Sequence, residues 1–133
     1  MTRKILMSII VLSISMFCYA YTGFSKQINT IIADGAVSSS ELKELIDSNN
    51  TEYLLIDVRT EAEYKSGHIP NSILIPYTEI QDHTKRIPKN KLIIVYCRSG
   101  RRSGIAREKL LELGYKNVIN FGGKNLWNYG LVE

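Results

Sequence analysis

Two continuous apolar runs constrain what this chain can fold into. The first is Tyr53–Val58, which carries one acid near its end, and the second is Lys91–Tyr96, which is rich in β-branched residues. A strand with one wet face alternates apolar and polar residues, whereas a strand buried on both faces of a parallel sheet does not. The two runs therefore predict central strands of a parallel sheet, and such a sheet needs helices on both of its faces.

Segments with helical periodicity separate these runs, and two of them begin with a capping box of the Ser/Thr-x-x-Glu form. The predicted helices are Ser40–Asp47, Glu61–Ser66, Tyr77–His83, a helix from Arg102 to the stop at Gly114, and Asn125–Tyr129, and the additional strands are Ile73–Ile75 and Asn117–Phe121. Strands that alternate with helices in this way are typical of an α/β fold with a parallel sheet.

The first twenty residues have the pattern of a secretory signal peptide. Arg3 and Lys4 give a basic start, Ile5–Phe17 is an uncharged apolar run, and small residues precede a cleavage point after Ala20. The pattern predicts an exported protein, either periplasmic or secreted. The 133 residues suffice for one domain, and the predicted organisation is a signal peptide over residues 1–20, a leader or linker over 21–35 and a single domain over 36–133.

Two alternatives to a cleaved signal stay open. The uncharged run Ile5–Phe24 is about long enough to span a bilayer if it is not cut. Cys18 could instead be a lipidated residue, although bulky Phe17 before it argues against a lipoprotein signal. A membrane is a partner only if the N-terminal segment is retained or lipidated.

Composition does not indicate a nucleic-acid partner. The full chain has 17 basic and 13 acidic residues and a net charge of +4. Cleavage after Ala20 would remove Arg3 and Lys4, which leaves 15 basic residues against 13 acidic ones and a net charge of +2. That excess is too small for a nucleic-acid footprint. Two histidines and one remaining cysteine, widely separated, predict no metal site, and we expect no cofactor.

Cys97 is the only cysteine that remains after the predicted cleavage. The mature chain could then form no internal disulfide. A free thiol in an oxidising compartment is open to oxidation, so its presence there favours a use for it. The alternative is an inert buried cysteine that acts as a small hydrophobic residue.

Cys97 also begins the loop that joins the second apolar run to the predicted helix after it. Small residues in this loop allow a tight curl, which turns backbone amides inward at the helix N-terminus. The helix dipole and three neighbouring arginines should lower the pKa of the thiol. The small residues are Ser99, Gly100 and Ser103, and the arginines are Arg98, Arg101 and Arg102.

The loop and four further motifs resemble the rhodanese family, in particular its single-domain sulfurtransferases. Cys97–Ser103 fits the family form Cys-Arg-Ser-Gly-x-Arg-Ser throughout. One departure is Asn71, where the family often has Gly or Ala, and we expect it to alter a turn and not the chemistry. The other motifs are Ile56–Arg59, Glu63–Tyr64 with Gly67–Pro70, Gly114–Val118, and Gly122–Gly123 with Trp127, so that the resemblance covers roughly residues 36–130.

The resemblance implies a three-layer α/β sandwich whose mainly parallel sheet has about five strands. It also implies sulfur transfer from an anionic donor such as thiosulfate, through a Cys97 persulfide, to an acceptor such as a thiol or cyanide. Arg98 and Arg101 would bind the donor, and the loop amides would hold the bound sulfur. The implied site residues are Cys97 as nucleophile, Arg98, Ser99, Gly100, Arg101 and Arg102 for substrate, and Asp57, Arg59 and Ser103 in support.

Arg102 could turn inward to an acid, and Asp57 is the best candidate for that acid. Both Asp57 and Cys97 follow strands, so the parallel sheet should bring them to one rim.

We expect the protein to be a monomer.

Two other functions involve a cysteine in a similar position. Tyrosine phosphatases place an arginine after five intervening residues, but here Arg102 follows Cys97 after four and the required position is Ser103. The tighter loop suits a sulfur atom better than a phosphate. A persulfide sulfur carrier or binding module with little free turnover needs the same cysteine, so the sequence does not separate it from an enzyme.

Overall fold

The computed structural model describes residues 22–23 and 25–133. The predicted signal peptide, its cleavage point and Cys18 lie outside these residues, so export remains a prediction. Within the described part, no helix is both long and apolar enough to cross a membrane.

The elements alternate between helix and strand, as the sequence predicts. Both predicted capping boxes are present, one started by Ser38 and the other by Thr60. The elements are α1, described over residues 22–23 and 25–34, α2 (Ser39–Asp47), β1 (Tyr53–Asp57), α3 (Glu61–Lys65), β2 (Ile73–Leu74), a 3₁₀ segment (Tyr77–Arg86), β3 (Leu92–Cys97), α4 (Arg101–Glu112), β4 (Val118–Gly123) and a 3₁₀ turn (Lys124–Leu126).

The four described strands form one parallel sheet in the order β2-β1-β3-β4. The two apolar runs therefore form its central strands, which confirms the prediction made for them. The expected number of about five strands is one too high for the described residues. In the register of the sheet, Asp57 lies beside Tyr96 and Cys97 lies beside Gly123.

Helices cover both faces of the sheet, so the predicted three-layer α/β fold is confirmed. One face carries Leu55, Ile94 and Tyr96 and packs against α1, α2 and Trp127. The other face carries Val95 and Cys97 and packs against α4 and the 3₁₀ segment. Successive residues of a strand point to opposite faces, and Tyr96 and Cys97 consequently lie in different layers.

The segment predicted as a leader or linker, residues 21–35, contains the helix α1. Ile28 and Ile31 of α1 are 8% and 0% exposed and belong to the core with α2. The Gln27 side chain also donates a hydrogen bond to Glu44 of α2 at 2.7 Å. A spacing of three residues puts both isoleucines on one helix face, and Ile32 packs against the same core. In the sequence, Phe24, Ile28, Ile31 and Ile32 recur at helical spacing, so the signal for a helix was present and was missed.

Two predicted helices are 3₁₀ helices with other bounds than expected. The first is Tyr77–Arg86, with a break at His83, and the last is Lys124–Leu126 in place of Asn125–Tyr129. Trp127 has an extended backbone there, and its ring is buried in the core. The chain therefore leaves the helix at Trp127, and the extended backbone there directs the ring into the core.

A bulge near the end of β4 shapes the edge of the sheet beside Cys97. Val95 pairs with Asn120, but Tyr96 pairs with Gly122, which leaves Phe121 as an extra residue. The Asn120 side chain accepts a hydrogen bond from the Gly122 amide at 2.9 Å. Bulges commonly redirect a strand next to a functional site, and this one carries two glycines against the Cys97 loop.

Candidate active site

Cys97 is the last residue of β3, and its sulfur lies beneath the loop that leads into α4. The residue is 0% exposed. Its Sγ accepts a hydrogen bond from the Gly100 amide at 3.0 Å and another from the Ser103 hydroxyl at 3.3 Å. The predicted curl therefore forms, with donors directed at the sulfur.

Gly100 makes the curl possible in two ways. Its φ of +96° lies in the left-handed region that side chains disfavour. A Cβ placed there would also stand 3.3 Å from Cα of Gly122, on the bulged strand. The Gly100 carbonyl oxygen accepts a hydrogen bond from Asn120 Nδ2 at 3.2 Å. It also lies 3.1 Å from Ser103 Oγ, where it is an alternative to Cys97 Sγ as the acceptor for the single hydroxyl proton of Ser103. The loop is thus anchored both to its own helix and to β4.

The environment lowers the pKa of the Cys97 thiol from its ordinary value. Burial alone would raise this pKa, but hydrogen bonds from the Ser103 hydroxyl and from the amides of Ser103, Ser99 and Gly100 outweigh burial. Hydrogen bonds to the charged form favour ionisation. The sequence predicted a lowered pKa for this thiol, and its largest lowering causes are these hydrogen bonds at the sulfur.

The three arginines of the loop have different surroundings. Arg98 and Arg101 are exposed, and no ion pair among the described residues involves either of them. Arg102 instead donates Nη1 and Nη2 to the two carboxylate oxygens of Glu63, each at 2.8 Å. The expected pairing of Arg102 with Asp57 is therefore wrong, because Glu63 reaches the guanidinium from the first turn of α3.

Asp57 belongs to a separate buried network in the other layer of the fold. Its carboxylate accepts hydrogen bonds from Arg59 Nε and Nη2 and, at 2.7 Å, from the Tyr96 hydroxyl. Arg59 also donates to the Gly67 carbonyl at 2.9 Å. Asp57 and Arg59 are 0% and 3% exposed. Asp57 does reach the end of β1, but its side chain turns to the face opposite Cys97.

A comparison with protein-family models identifies the family of this chain. The model of the Rhodanese-like domain matches residues 38–129, more than half of the chain. The chain belongs to the rhodanese-like family. This confirms the resemblance found in the motifs and assigns the protein to rhodanese-type sulfur transfer in general terms.

Individual relatives of this rhodanese-like protein agree with the assignment. The chain is 43% identical over 70 residues to the thiosulfate sulfurtransferase PspE of Escherichia coli K12, covering 51% of this chain and 67% of that one. It is 31% identical over 122 residues to the thiosulfate:glutathione sulfurtransferase of Saccharomyces cerevisiae, covering 81% and 88%. A solved structure of a rhodanese with anions from E. coli is 37% identical, with a TM-score of 0.56, and covers 61% of this chain and 98% of that one.

Sequence reasoning missed several residues that hold this rhodanese-like site together. It gave Glu63 and Gly122–Gly123 no role at the sulfur beyond their place in motifs, and it gave no role to Asn120 or Tyr96. The acid opposite Arg102 could have been sought at the start of any neighbouring helix, but its identity depends on the packing of α3 against α4. The glycine pair was a visible signal, since two adjacent glycines often mark a close backbone approach.

Gly123 allows the loop to pack against β4, and its replacement by alanine tests this contact. A Cβ at this position would lie 2.7 Å from the Arg98 carbonyl oxygen and 3.2 Å from Cα of Ser99. Gly123→Ala must displace the backbone of the Cys97 loop, so we expect a loss of about 1–3 kcal/mol in the free energy of unfolding and a marked loss of sulfur transfer. Chemical denaturation and a turnover assay measure both effects.

Gly104→Ala is the matched control for that variant. Gly104 lies inside α4, where a Cβ would stand 3.6 Å from Asn120 Nδ2, an ordinary contact. Alanine is favoured over glycine inside helices by about 1 kcal/mol, so this variant should be at least as stable as the parent. Equal stability and turnover for Gly123→Ala would show that the described packing of the loop is wrong.

Proposed function

We propose that the protein is a thiosulfate sulfurtransferase that works through a persulfide on Cys97. The supporting observation is the ring of hydrogen-bond donors around the Cys97 sulfur. A persulfide carries its negative charge on the outer sulfur, and inward-pointing amides and a hydroxyl suit such an anion. The lowered pKa of Cys97 also supplies the thiolate that attack on sulfur requires.

In the first step, the Cys97 thiolate attacks the sulfane sulfur of thiosulfate. An S–S bond forms to Cys97 as the S–S bond of the donor breaks, and sulfite leaves with its two negative charges. In the second step, cyanide or a thiolate attacks the outer sulfur of the persulfide, and the Cys97 thiolate is restored. Thiocyanate or an acceptor persulfide is the product. Such covalent catalysis in two half-reactions gives ping-pong kinetics.

The exposed arginines suit the donor. Arg98 and Arg101 lie on the solvent side of the loop without a described acidic partner, so their charges are available to a sulfonate group. Arg102 is engaged by Glu63, and its side chain is therefore assigned no contact with the donor.

The experiment is thiosulfate-to-cyanide transfer, combined with mass spectrometry of the protein after exposure to thiosulfate alone. We expect continuous formation of thiocyanate and a mass increase of one sulfur atom, about 32 Da, on the peptide that contains Cys97. A dedicated carrier would take up one sulfur and then stop, which would contradict turnover but not the persulfide. No added sulfur would contradict both.

We also propose that the mature protein functions outside the cytoplasm, after cleavage behind Ala20. The basic start and the apolar run Ile5–Phe17 support this proposal. Fractionation of cells, with the N-terminal mass of the recovered protein, tests it, and a retained residue 1 or a lipid on Cys18 would contradict it.

A further inference from the structure

Glu63 makes more contacts than a helix cap requires. Its Oε2 accepts hydrogen bonds from the Thr60 amide at 3.0 Å and from the Thr60 hydroxyl at 2.9 Å, which complete the capping box of α3. The same carboxylate receives the two 2.8 Å hydrogen bonds from Arg102. Glu41 forms the equivalent capping box of α2 with Ser38, but among the described ion pairs it has no arginine partner. The arginine contact is thus additional to capping.

The pair lies next to the groups that hold the sulfur. Arg102 precedes Ser103, whose hydroxyl donates to Cys97 Sγ. The Glu63 and Arg102 side chains are only 30% and 23% exposed, so water screens their charges less than it screens those of Arg98 and Arg101. Arg102 is also near enough to Cys97 for the two charges to interact. Its pKa is raised, first by the hydrogen bonds with Glu63 and further by the negative charges of Glu63 and Cys97.

We propose that Glu63 is a positioning residue that holds Arg102 and cancels its charge, so that neutral donors of the loop alone hold the Cys97 sulfur. The consequence for catalysis rests on the function proposed above. A free guanidinium beside the sulfur would increase the thiolate fraction, but it would also make the thiolate and the persulfide less reactive, because the nucleophilicity of sulfur falls with its pKa.

Other charged groups near this pair have partners or are solvated. Asp57 contributes to the field at Arg102, and Arg59 experiences the charge of Glu63. These two residues form their own buried ion pair, so their charges largely cancel at a distance. Arg98 and Arg101 lie in solvent. Glu63 is therefore the group whose loss changes the net charge close to the sulfur most directly.

The test is Glu63→Gln, with Glu41→Gln as the matched control. Glutamine is compatible with a capping box, so α3 should form in the first variant and α2 in the second. The pH dependence of Cys97 alkylation by iodoacetamide is followed in the full chain, in the tryptic peptide Leu92–Arg98, which separates Cys97 from Cys18. We expect Glu63→Gln to lower the pKa of Cys97. Alkylation at pH values below this pKa, expressed relative to the plateau rate at high pH, should then be about threefold faster than in the parent. Glu41→Gln should change neither.

Arg102→Met supplies a change of opposite sign. Removal of the cation leaves the Glu63 carboxylate unpaired near the sulfur, so the pKa of Cys97 should rise. Alkylation at pH values below this pKa, relative to the plateau rate at high pH, should then be slower than in the parent. The double variant should return close to the parent, and it keeps the test valid if either single variant fails to fold. A merely structural ion pair would shift the alkylation profile in one direction in both single variants.

A rise in the pKa of Cys97 in Glu63→Gln, or equal directions in the two single variants, would overturn the proposal. Alkylation needs no sulfur donor, so the result is independent of the proposed activity. Failure of thiosulfate turnover with the expected alkylation profiles would contradict the function and leave the role of Glu63 standing.

Discussion

Replacement of Cys97 by serine should reduce sulfur transfer by at least about a thousandfold, as expected for loss of a covalent nucleophile. A serine hydroxyl keeps its proton at neutral pH and forms no persulfide. The two side chains are similar in size, so the buried position should accept serine and the chain should fold. Initial rates of thiocyanate formation measure the effect, and circular dichroism verifies the fold.

Cys18→Ser is the matched control, because it removes the other cysteine of the chain. We expect this variant to keep the parental rate in the folded protein and to gain the same single sulfur on exposure to thiosulfate. Sustained turnover by Cys97→Ser, or loss of the sulfur adduct in Cys18→Ser, would show that the transferred sulfur is carried elsewhere.

Asp57→Ala should cause the largest loss of stability, about 3–5 kcal/mol in the free energy of unfolding, because it leaves a buried charge uncompensated. Arg59 would lose its ion-pair partner while still 3% exposed, and the Tyr96 hydroxyl would lose its acceptor. Since a domain of this size is stable by about 5–15 kcal/mol in total, the variant should unfold at a clearly lower denaturant concentration or temperature.

Asp47→Ala is the control for this change. Asp47 forms an exposed ion pair with Lys43, and such surface pairs contribute about 0–1 kcal/mol. Because Asp57 lies in the layer opposite Cys97, the folded fraction of Asp57→Ala should keep most of its turnover at low temperature. Parental stability for Asp57→Ala would contradict the buried network, and a loss of turnover in fully folded protein would assign Asp57 to the chemistry.

The sequence predicted the parts of the fold that depend on local patterns. Continuous apolar runs identified β1 and β3 as central strands, and the capping boxes located the starts of α2 and α3. The curl of the loop from Cys97 to Ser103 was also predicted, because small residues between a buried strand and a helix permit a tight turn of the backbone.

The rest depends on contacts between residues far apart in the chain. Glu63 and Arg102 are 39 residues apart. Asp57 was a reasonable alternative partner, but the register of β1 with β3 puts its side chain on the face of Tyr96 and not on that of Cys97. The helix α1 is different, because Phe24, Ile28, Ile31 and Ile32 recur at helical spacing and could have predicted it. Gly123 is required by the backbone of Arg98 and Ser99, and the glycine pair signals a close approach without showing which segment approaches.

Tyr96 and Cys97 are adjacent in β3 but lie on opposite faces of the sheet, which affects how substitutions act on the protein. Tyr96 fastens the loop around Ile69 to the layer of α1 and α2 through its hydroxyl, while Cys97 points into the layer of α4. The buried network of Asp57, Arg59 and Tyr96 and the groups at the Cys97 sulfur therefore lie on opposite faces of the sheet. Substitutions confined to that network can change the stability of the protein without removing any group that contacts the sulfur.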